Sequence, residues 1–154
     1  MRERRSHEWI SAVALVAKSR GGLILGADVL ISVIDDDDDA RMAITSLMEA
    51  LGFTTEAFPS AAEFLACHNI ARTRCLIADV HMPGMTGLEL HRHLMQSGRA
   101  IPTILITAYP DDNIRDQALS QGVVCYLQKP VDEDGLRRCI RAALDRAKPE
   151  QNSS

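Results

Sequence analysis

The sequence predicts an α/β fold, a doubly wound five-stranded parallel sheet with helices on both faces. Short apolar runs alternate with segments whose apolar residues recur at helical spacing. Such alternation is typical of parallel strands joined by helical crossovers. The chain has 154 residues, of which 46% are apolar and 25% charged, which suits one domain with its own core. We expect this domain at residues 29–147, after a poorly ordered or loosely docked arm at 1–28 and before a polar tail at 148–154.

The first strand is predicted at residues 29–34, where an apolar, β-branched run ends directly in five aspartates. The later aspartates suit the start of a helix, whose positive end favours carboxylates. The following elements are recognised by apolar spacing and by Gly, Pro, Ser, Thr and Asp at their ends. They are an edge strand at 54–58, a helix capped by Ser60, a strand at 75–78, a helix from Thr86 with Leu88, Leu94 and Met95, a strand at 102–107, a helix from Asp111 or Asp112, a strand at 123–127, and a last helix with Leu136, Ile140, Ala143 and Leu144.

Net charge, the length of the apolar runs and the cysteines indicate which binding partners and which compartment suit the protein. The formal net charge of −4 provides no overall field for nucleic acid, so we expect no direct nucleic-acid binding. The apolar run at residues 10–17 is too short to span a bilayer, and we expect no membrane span. Cys75 and Cys125 lie in apolar runs, which suits buried, reduced thiols in a cytoplasmic protein.

Polar residues stand where the apolar strands end. Asp35 and Asp36 follow the first strand, Asp79 the third, Thr107 the fourth and Lys129 the fifth. A lone aspartate at a strand end is more simply a turn former, and an acidic run more simply a solvated loop. Because the carboxyl ends of parallel strands meet at one edge, where open α/β sheets bind ligands, we expect these side chains to converge.

Three converging carboxylates repel one another unless a cation neutralises them. Mg²⁺ prefers one or two carboxylates, waters and a phosphate oxygen, so a Mg²⁺ site is predicted, with Mn²⁺ as an alternative. Lys129 supplies a charge that suits phosphate, and the Thr107 hydroxyl can donate to it. The chemistry indicated is attack of a carboxylate on phosphorus, giving an aspartyl phosphate. The sequence contains no G-x-x-x-x-G-K-[ST] loop, so ATP is not the expected donor.

These motifs resemble the receiver domain of two-component response regulators. The resemblance rests on the acidic pair after the first strand, on D-x-x-M-P-G-x-x-G from Asp79, on I-T-A at residues 106–108 and on K-P at 129–130. As an ordered set the motifs are specific, and they cover residues 29–147. The resemblance implies the flavodoxin-like receiver fold with strand order 2-1-3-4-5.

The resemblance also implies the roles of the site residues. Asp79 would be the phosphoacceptor, and Lys129 would contact the phosphoryl group. Asp36 would be the main acidic magnesium ligand, assisted by Asp35 through water. Asp79 and the main-chain carbonyl of His81 would complete the protein ligands.

The resemblance also implies a switch pair and a cis peptide, and the switch pair in turn predicts a binding surface for a downstream protein. Thr107 and Tyr126 would form a switch pair, in which the hydroxyl moves toward the phosphoryl group and the ring follows inward. The Lys129–Pro130 peptide would be cis. A downstream protein would bind the face formed by the fourth helix, at residues 112–121, the fifth strand and the last helix.

Five consecutive aspartates leave the alignment of the metal pair open. We choose Asp35 and Asp36 because Ile34 should end the first strand. Arg41 then stands at the spacing usual in the family.

The implied partner upstream is a sensor histidine kinase or phosphotransfer protein, and small acyl phosphates would substitute for it. The chain stops soon after its last helix, so we expect a single-domain response regulator that signals to another protein. It would catalyse its own phosphorylation and dephosphorylation at Asp79 without being a turnover enzyme.

Two alternatives remain at this point. A haloacid-dehalogenase-type phosphotransferase also uses a strand-end aspartate and magnesium, but it needs a second aspartate where this chain has His81. A receiver-like interaction module that works without phosphorylation would not need the whole set of site residues. The bulky His81 and Tyr109, each two positions beyond a site residue, lead us to expect slow hydrolysis of the aspartyl phosphate.

Overall fold

The sheet has five parallel strands in the order β2-β1-β3-β4-β5, as predicted. The computed structural model describes residues 29–147, so the predicted arm and tail lie outside the described residues. The strands are β1 (Leu30–Ile34), β2 (Thr54–Phe58), β3 (Thr73–Asp79), β4 (Thr103–Thr107) and β5 (Cys125–Gln128). Strand β2 lies at an edge, as expected, and β1, β3 and β4 are flanked on both sides.

The helices alternate with the strands. They are α1 (Asp38–Ala50), α2 (Ala61–Leu65), α3 (Gly87–Gln96), α4 (Asp112–Ser120) and α5 (Glu133–Arg146). A 3₁₀ turn at Ile70–Arg72, which the sequence pattern does not indicate, precedes β3.

Side chains cap the helices at the predicted positions. Ser60 accepts a hydrogen bond from the main chain of α2, and Asp111 from that of α4. Thr86 and Glu89 form a reciprocal capping box at the start of α3. These caps satisfy N–H groups that the first helical turns leave without partners.

The core has two layers, one on each face of the sheet. On one face, α1 and α5 cover the strands with Ile44, Met48, Leu136, Ile140 and Ala143. On the other face, α2, α3 and α4 contribute Phe64, Leu88, Leu90, Leu94 and Ala118. Met95, predicted on the apolar side of its helix, is instead 47% exposed, because its neighbour Leu94 occupies the inward position.

The cysteines divide into two kinds. Cys75 is a fully buried free thiol, as expected, and burial raises its pKa to about 12. The expectation of a reduced thiol is wrong for Cys125, which forms a disulfide with Cys139. The reason is tertiary: β5 and α5 bring the two Cα atoms to 6.0 Å, a normal separation for a disulfide.

Within residues 29–147, every helix is too short or too polar to cross a bilayer. The limits of the predicted arm and tail stay predictions.

Candidate functional site

The first acidic residue after β1 is turned into the protein and the second is turned out. The main-chain N–H of Asp35 donates to the Phe58 carbonyl at 3.1 Å, which continues the sheet by one residue. Asp35 is fully buried, and its Oδ1 accepts from the Asp37 N–H at 2.9 Å. Asp36 is exposed. Asp37 caps α1, so members of one aspartate run have different structural roles.

Arg41 anchors this acidic turn. Its Nη1 donates to the main-chain oxygen of Asp35 at 2.6 Å, and its Nη2 pairs with Asp38. Since Arg41 lies one turn into α1, the contact ties the helix to the end of β1. The sequence indicated Arg41 only through its spacing.

Asp79 is the last residue of β3, where it pairs with Ile106 of β4. Its side chain is 8% exposed, and its Oδ1 accepts from the His81 N–H at 3.3 Å. Burial, and then the charge of Asp35, raise the pKa of the Asp79 carboxyl above its usual range. The charge and hydrogen bond of Lys129 act in the opposite direction but do not cancel this increase.

Lys129 joins the two buried carboxylates. Its Nζ lies 2.8 Å from Asp35 Oδ2 and 3.2 Å from Asp79 Oδ2. Burial acts to lower the pKa of Lys129, but the hydrogen bond and charge of Asp35, with the charge of Asp79, outweigh it and raise the pKa. The main-chain N–H of Lys129 donates to the Thr107 carbonyl at 2.8 Å, and the Lys129–Pro130 peptide is cis, as expected.

Three carboxylates form one cluster at this rim. Asp35, Asp36 and Asp79 each place an oxygen within 4.8 Å of the others. With one lysine among three carboxylates, the formal charge is −2, which a divalent cation would balance. Oxygen ligands suit Mg²⁺, so the donor set fits the predicted ion.

Gly87 brings α3 against the end of β3. A Cβ at this position would lie 2.5 Å from the Asp79 carbonyl oxygen and 2.8 Å from Leu105 Cδ2. The Gly87 N–H donates to the Val80 carbonyl at 3.1 Å. Gly87 is therefore needed for this close approach, a requirement that the sequence pattern does not show.

The predicted switch residues are engaged with the β4–α4 connection. The buried Thr107 hydroxyl accepts from the Tyr109 N–H at 3.0 Å. The Tyr126 hydroxyl accepts from the Asp111 N–H at 3.1 Å, next to the cap of α4. The structure thus brings the three carboxylates and Lys129 together, but the Tyr126 hydroxyl bonds to the α4 cap and the Thr107 hydroxyl to its own loop. No feature of the sequence predicted the hydrogen bond between the Asp111 N–H and the Tyr126 hydroxyl.

Two aromatic rings lie close to one another on loops that follow β3 and β4. The centroids of His81 and Tyr109 are 6.0 Å apart in an edge-to-face arrangement. Tyr109 is 73% exposed, so the pair lies at the surface.

Comparison with known proteins points to one family. The sequence model of the response regulator receiver domain matches residues 31–141. Response regulator protein TodT of Pseudomonas putida is 39% identical over 125 residues, which cover 81% of this chain and 55% of TodT. Transcriptional regulatory protein FixJ of Azorhizobium caulinodans is 34% identical over 117 residues, which cover 76% of this chain and 56% of FixJ. The chain thus spans about half the length of these relatives.

Solved structures agree with the sequence comparison. Response regulator StyR superposes with a TM-score of 0.72 at 33% identity, covering 79% of this chain and 61% of StyR. The structure of FixJ-N superposes with a TM-score of 0.69 at 29% identity, covering 77% of this chain and 95% of that one.

Proposed function

The chain belongs to the response regulator receiver domain family of two-component systems, and from this membership we propose that it accepts a phosphoryl group on Asp79. The donor would be a phosphohistidine on a sensor histidine kinase or phosphotransfer protein in the cytoplasm. The transfer would depend on Mg²⁺ and would alter a surface that binds another protein. We expect the chain to make no direct contact with nucleic acid.

The observation that carries the proposal is the position of Asp79. Its carboxylate lies beside a lysine at 3.2 Å and shares an oxygen cluster with Asp35 and Asp36. One oxygen of Asp79 would attack phosphorus as the bond between phosphorus and the donor imidazole breaks, and the imidazole takes up a proton. Asp79 is mostly buried and bound by the His81 N–H, so its carboxylate is held in position before the phosphoryl group arrives.

The metal would be held by Asp35, Asp36, Asp79 and the carbonyl of His81. When bound, Mg²⁺ would neutralise charge that develops on the phosphoryl oxygens. Asp36 is the exposed member of the set and so the member open to solvent, whereas the buried Asp35 is paired with Lys129. This difference supports Asp36 as the main acidic ligand and Asp35 as the assisting one.

Lys129 and Thr107 would bind the transferred group. The Lys129 ammonium already lies between two carboxylates and can follow the negative charge when it moves to the phosphoryl oxygens. The Thr107 hydroxyl accepts one hydrogen bond from Tyr109 and still has its own proton to donate. Donation to the phosphoryl group would draw Thr107 and its loop inward.

The proposed signal would pass to Tyr126 through the β4–α4 connection. Tyr126 is bonded to the Asp111 N–H in this connection, which also holds Tyr109. A shift of Thr107 would therefore disturb the bond at Asp111 and release the Tyr126 ring to move inward. The surface formed by α4, β5 and α5, which we call the α4–β5–α5 face, would then change its shape for a downstream protein.

Incubation with Mg²⁺ and acetyl phosphate tests the proposal. Intact-protein mass spectrometry should show one phosphoryl adduct on the wild-type chain and none on Asp79→Asn. Asp39→Asn is the matched control, because Asp39 is an exposed aspartate of the acidic run at residues 35–39 and lies outside the oxygen cluster. Chelation of Mg²⁺ should prevent the adduct. An adduct that persists in Asp79→Asn would contradict the assignment, and release of many equivalents of phosphate from small esters would indicate a turnover phosphatase.

A further inference from the structure

The disulfide between Cys125 and Cys139 joins two elements of the α4–β5–α5 face. Cys125 is the first residue of β5, and Cys139 lies midway along α5. The bond links residues 14 positions apart in sequence. Tyr126 and Lys129 both lie in the segment that it closes, so the bond encloses a proposed switch residue and a proposed phosphoryl contact.

Cys125 and Cys139 differ from the two free cysteines in burial and position. Cys75 is completely buried, and its raised pKa makes it a poor nucleophile. Cys67 is half-buried but packs against the core on the opposite face of the sheet. Cys125 is half-buried and Cys139 is 5% exposed, so Cys125 is the member of the pair that is more open to a small oxidant or thiol.

From this placement we propose that Cys125 and Cys139 form a reversible redox modification site, and that closing the disulfide disfavours the phosphoryl-bound arrangement. The oxidant is hydrogen peroxide. The Cys125 thiol attacks one peroxide oxygen, which gives a sulfenic acid and one water, and the Cys139 thiol then attacks the Cys125 sulfur and releases a second water. Two thiols lose two electrons and two protons in total, and one hydrogen peroxide becomes two waters. Two glutathione thiols reverse the change by thiol–disulfide exchange.

The direction of the effect rests on the proposed function. The disulfide occurs together with the Tyr126–Asp111 and Thr107–Tyr109 hydrogen bonds. The proposed phosphoryl-bound arrangement breaks the first of these bonds and moves Tyr126, the neighbour of Cys125. A covalent bond from Cys125 to α5 therefore favours the present arrangement. Because coupling between two sites is reciprocal, the oxidised chain should bind a phosphoryl mimic more weakly.

The test compares reduced and oxidised wild-type chains, which need no substitution. Oxidation with hydrogen peroxide should lower the number of thiols that react with N-ethylmaleimide after denaturation from four to two, and glutathione should restore four. Trypsin cleaves after Arg137 and Arg138, so the oxidised chain should yield a crosslinked pair of peptides containing Cys125 and Cys139. Cys67→Ser should retain the crosslink, and Cys125→Ser should lose it.

The second measurement is the affinity for beryllofluoride with Mg²⁺ present, followed by nuclear magnetic resonance. The oxidised chain should bind it at least about five-fold more weakly than the reduced chain, the lower end of typical coupling between two sites. The double variant Cys125→Ser/Cys139→Ser should bind equally with and without peroxide.

The two measurements distinguish failure of the redox site, failure of its coupling to phosphoryl binding, and failure of the proposed function. Equal affinity in both redox states would overturn the coupling. If glutathione does not reduce the disulfide in the folded chain, or if peroxide does not form it, the proposed reversible redox site would be overturned. Absence of Mg²⁺-dependent beryllofluoride binding in the reduced chain would refute the proposed function and with it the coupling, and the thiol count would still decide the redox site.

Discussion

Replacement of Gly87 by alanine tests whether the approach of α3 to β3 positions Asp79. The added Cβ would lie 2.5 Å from the Asp79 carbonyl oxygen, well inside van der Waals contact. The Leu105 side chain can turn away from its contact at 2.8 Å, but the main-chain oxygen of Asp79 cannot. The helix or the end of β3 must therefore move by several tenths of an ångström.

The magnitude follows from two opposing terms. Overpacking that forces a main-chain shift costs about 1–3 kcal/mol. Alanine in place of glycine in a helix returns roughly 0.5–1 kcal/mol, and the return is smaller at the first helical position. We expect Gly87→Ala to lower the free energy of unfolding by about 1–2 kcal/mol, and to weaken Mg²⁺ binding because the end of β3 carries Asp79.

Urea unfolding measures the change in the free energy of unfolding, and Mg²⁺ titration measures the change in Mg²⁺ affinity. Gly135→Ala is the matched control, since its Cβ would meet Asp132 Oδ2 at 3.4 Å, an ordinary contact, and Gly135 lies in α5 and not in α3. This control should be as stable as the wild type or up to about 1 kcal/mol more stable, with unchanged Mg²⁺ affinity. A Gly87→Ala chain that equals the wild type in stability and Mg²⁺ affinity would refute the reasoning.

Three further predictions concern single side chains. The pKa of Asp79 is raised in the folded chain, so its ionisation costs stability above the pH at which it ionises in the unfolded chain. Without Mg²⁺, Asp79→Asn should therefore unfold at higher urea than the wild type at pH 7, and the difference should disappear as pH falls below about 4; equal midpoints at pH 7 would contradict this. Tyr126→Phe removes the acceptor of the Asp111 N–H and should cost about 0.5–1.5 kcal/mol in urea unfolding, whereas a loss above about 3 kcal/mol would mean that the ring itself had repacked. Tyr109→Ala removes the ring beside His81 and should shorten the phosphoryl half-life several-fold by mass spectrometry after acetyl phosphate is removed, and a wild-type half-life of seconds at room temperature would contradict the expected slow hydrolysis.

The parallel sheet and the convergence of acidic residues could be predicted because they depend on local patterns, whereas the strand order was implied only by the resemblance to receiver domains. Apolar runs that end in Asp35 and Asp79 define both the strands and the rim on which these carboxylates lie. A parallel sheet then brings all its carboxyl ends to one edge, whatever the separation in sequence. The set of polar residues at the site could therefore be predicted from the sequence, although the role of each residue stays a prediction.

Other features depended on tertiary placement and had no local signal. Cys125 appears as a core residue in its apolar run, and only the position of α5 shows Cys139 opposite it. Gly87 is one glycine among several turn residues until the end of β3 is placed against it. Met95 follows the apolar spacing of its helix, but the sheet covers only the side that bears Leu94.

In the run of five identical aspartates, the number of residues determines how α1 is placed, because the aspartates are interchangeable in sequence. Deleting any one of them produces the same shortened protein, in which an arginine follows the acidic turn one position early. Each residue rotates an α-helix by about 100°. If α1 begins at the same place, this rotation turns Ile44 away from the sheet and separates the Arg41 guanidinium from the main-chain oxygen of Asp35, which it now meets at 2.6 Å. If α1 instead keeps its packing, the acidic turn between β1 and α1 must lose a residue. A codon lost from this repetitive tract would thus damage the rim although four aspartates remained.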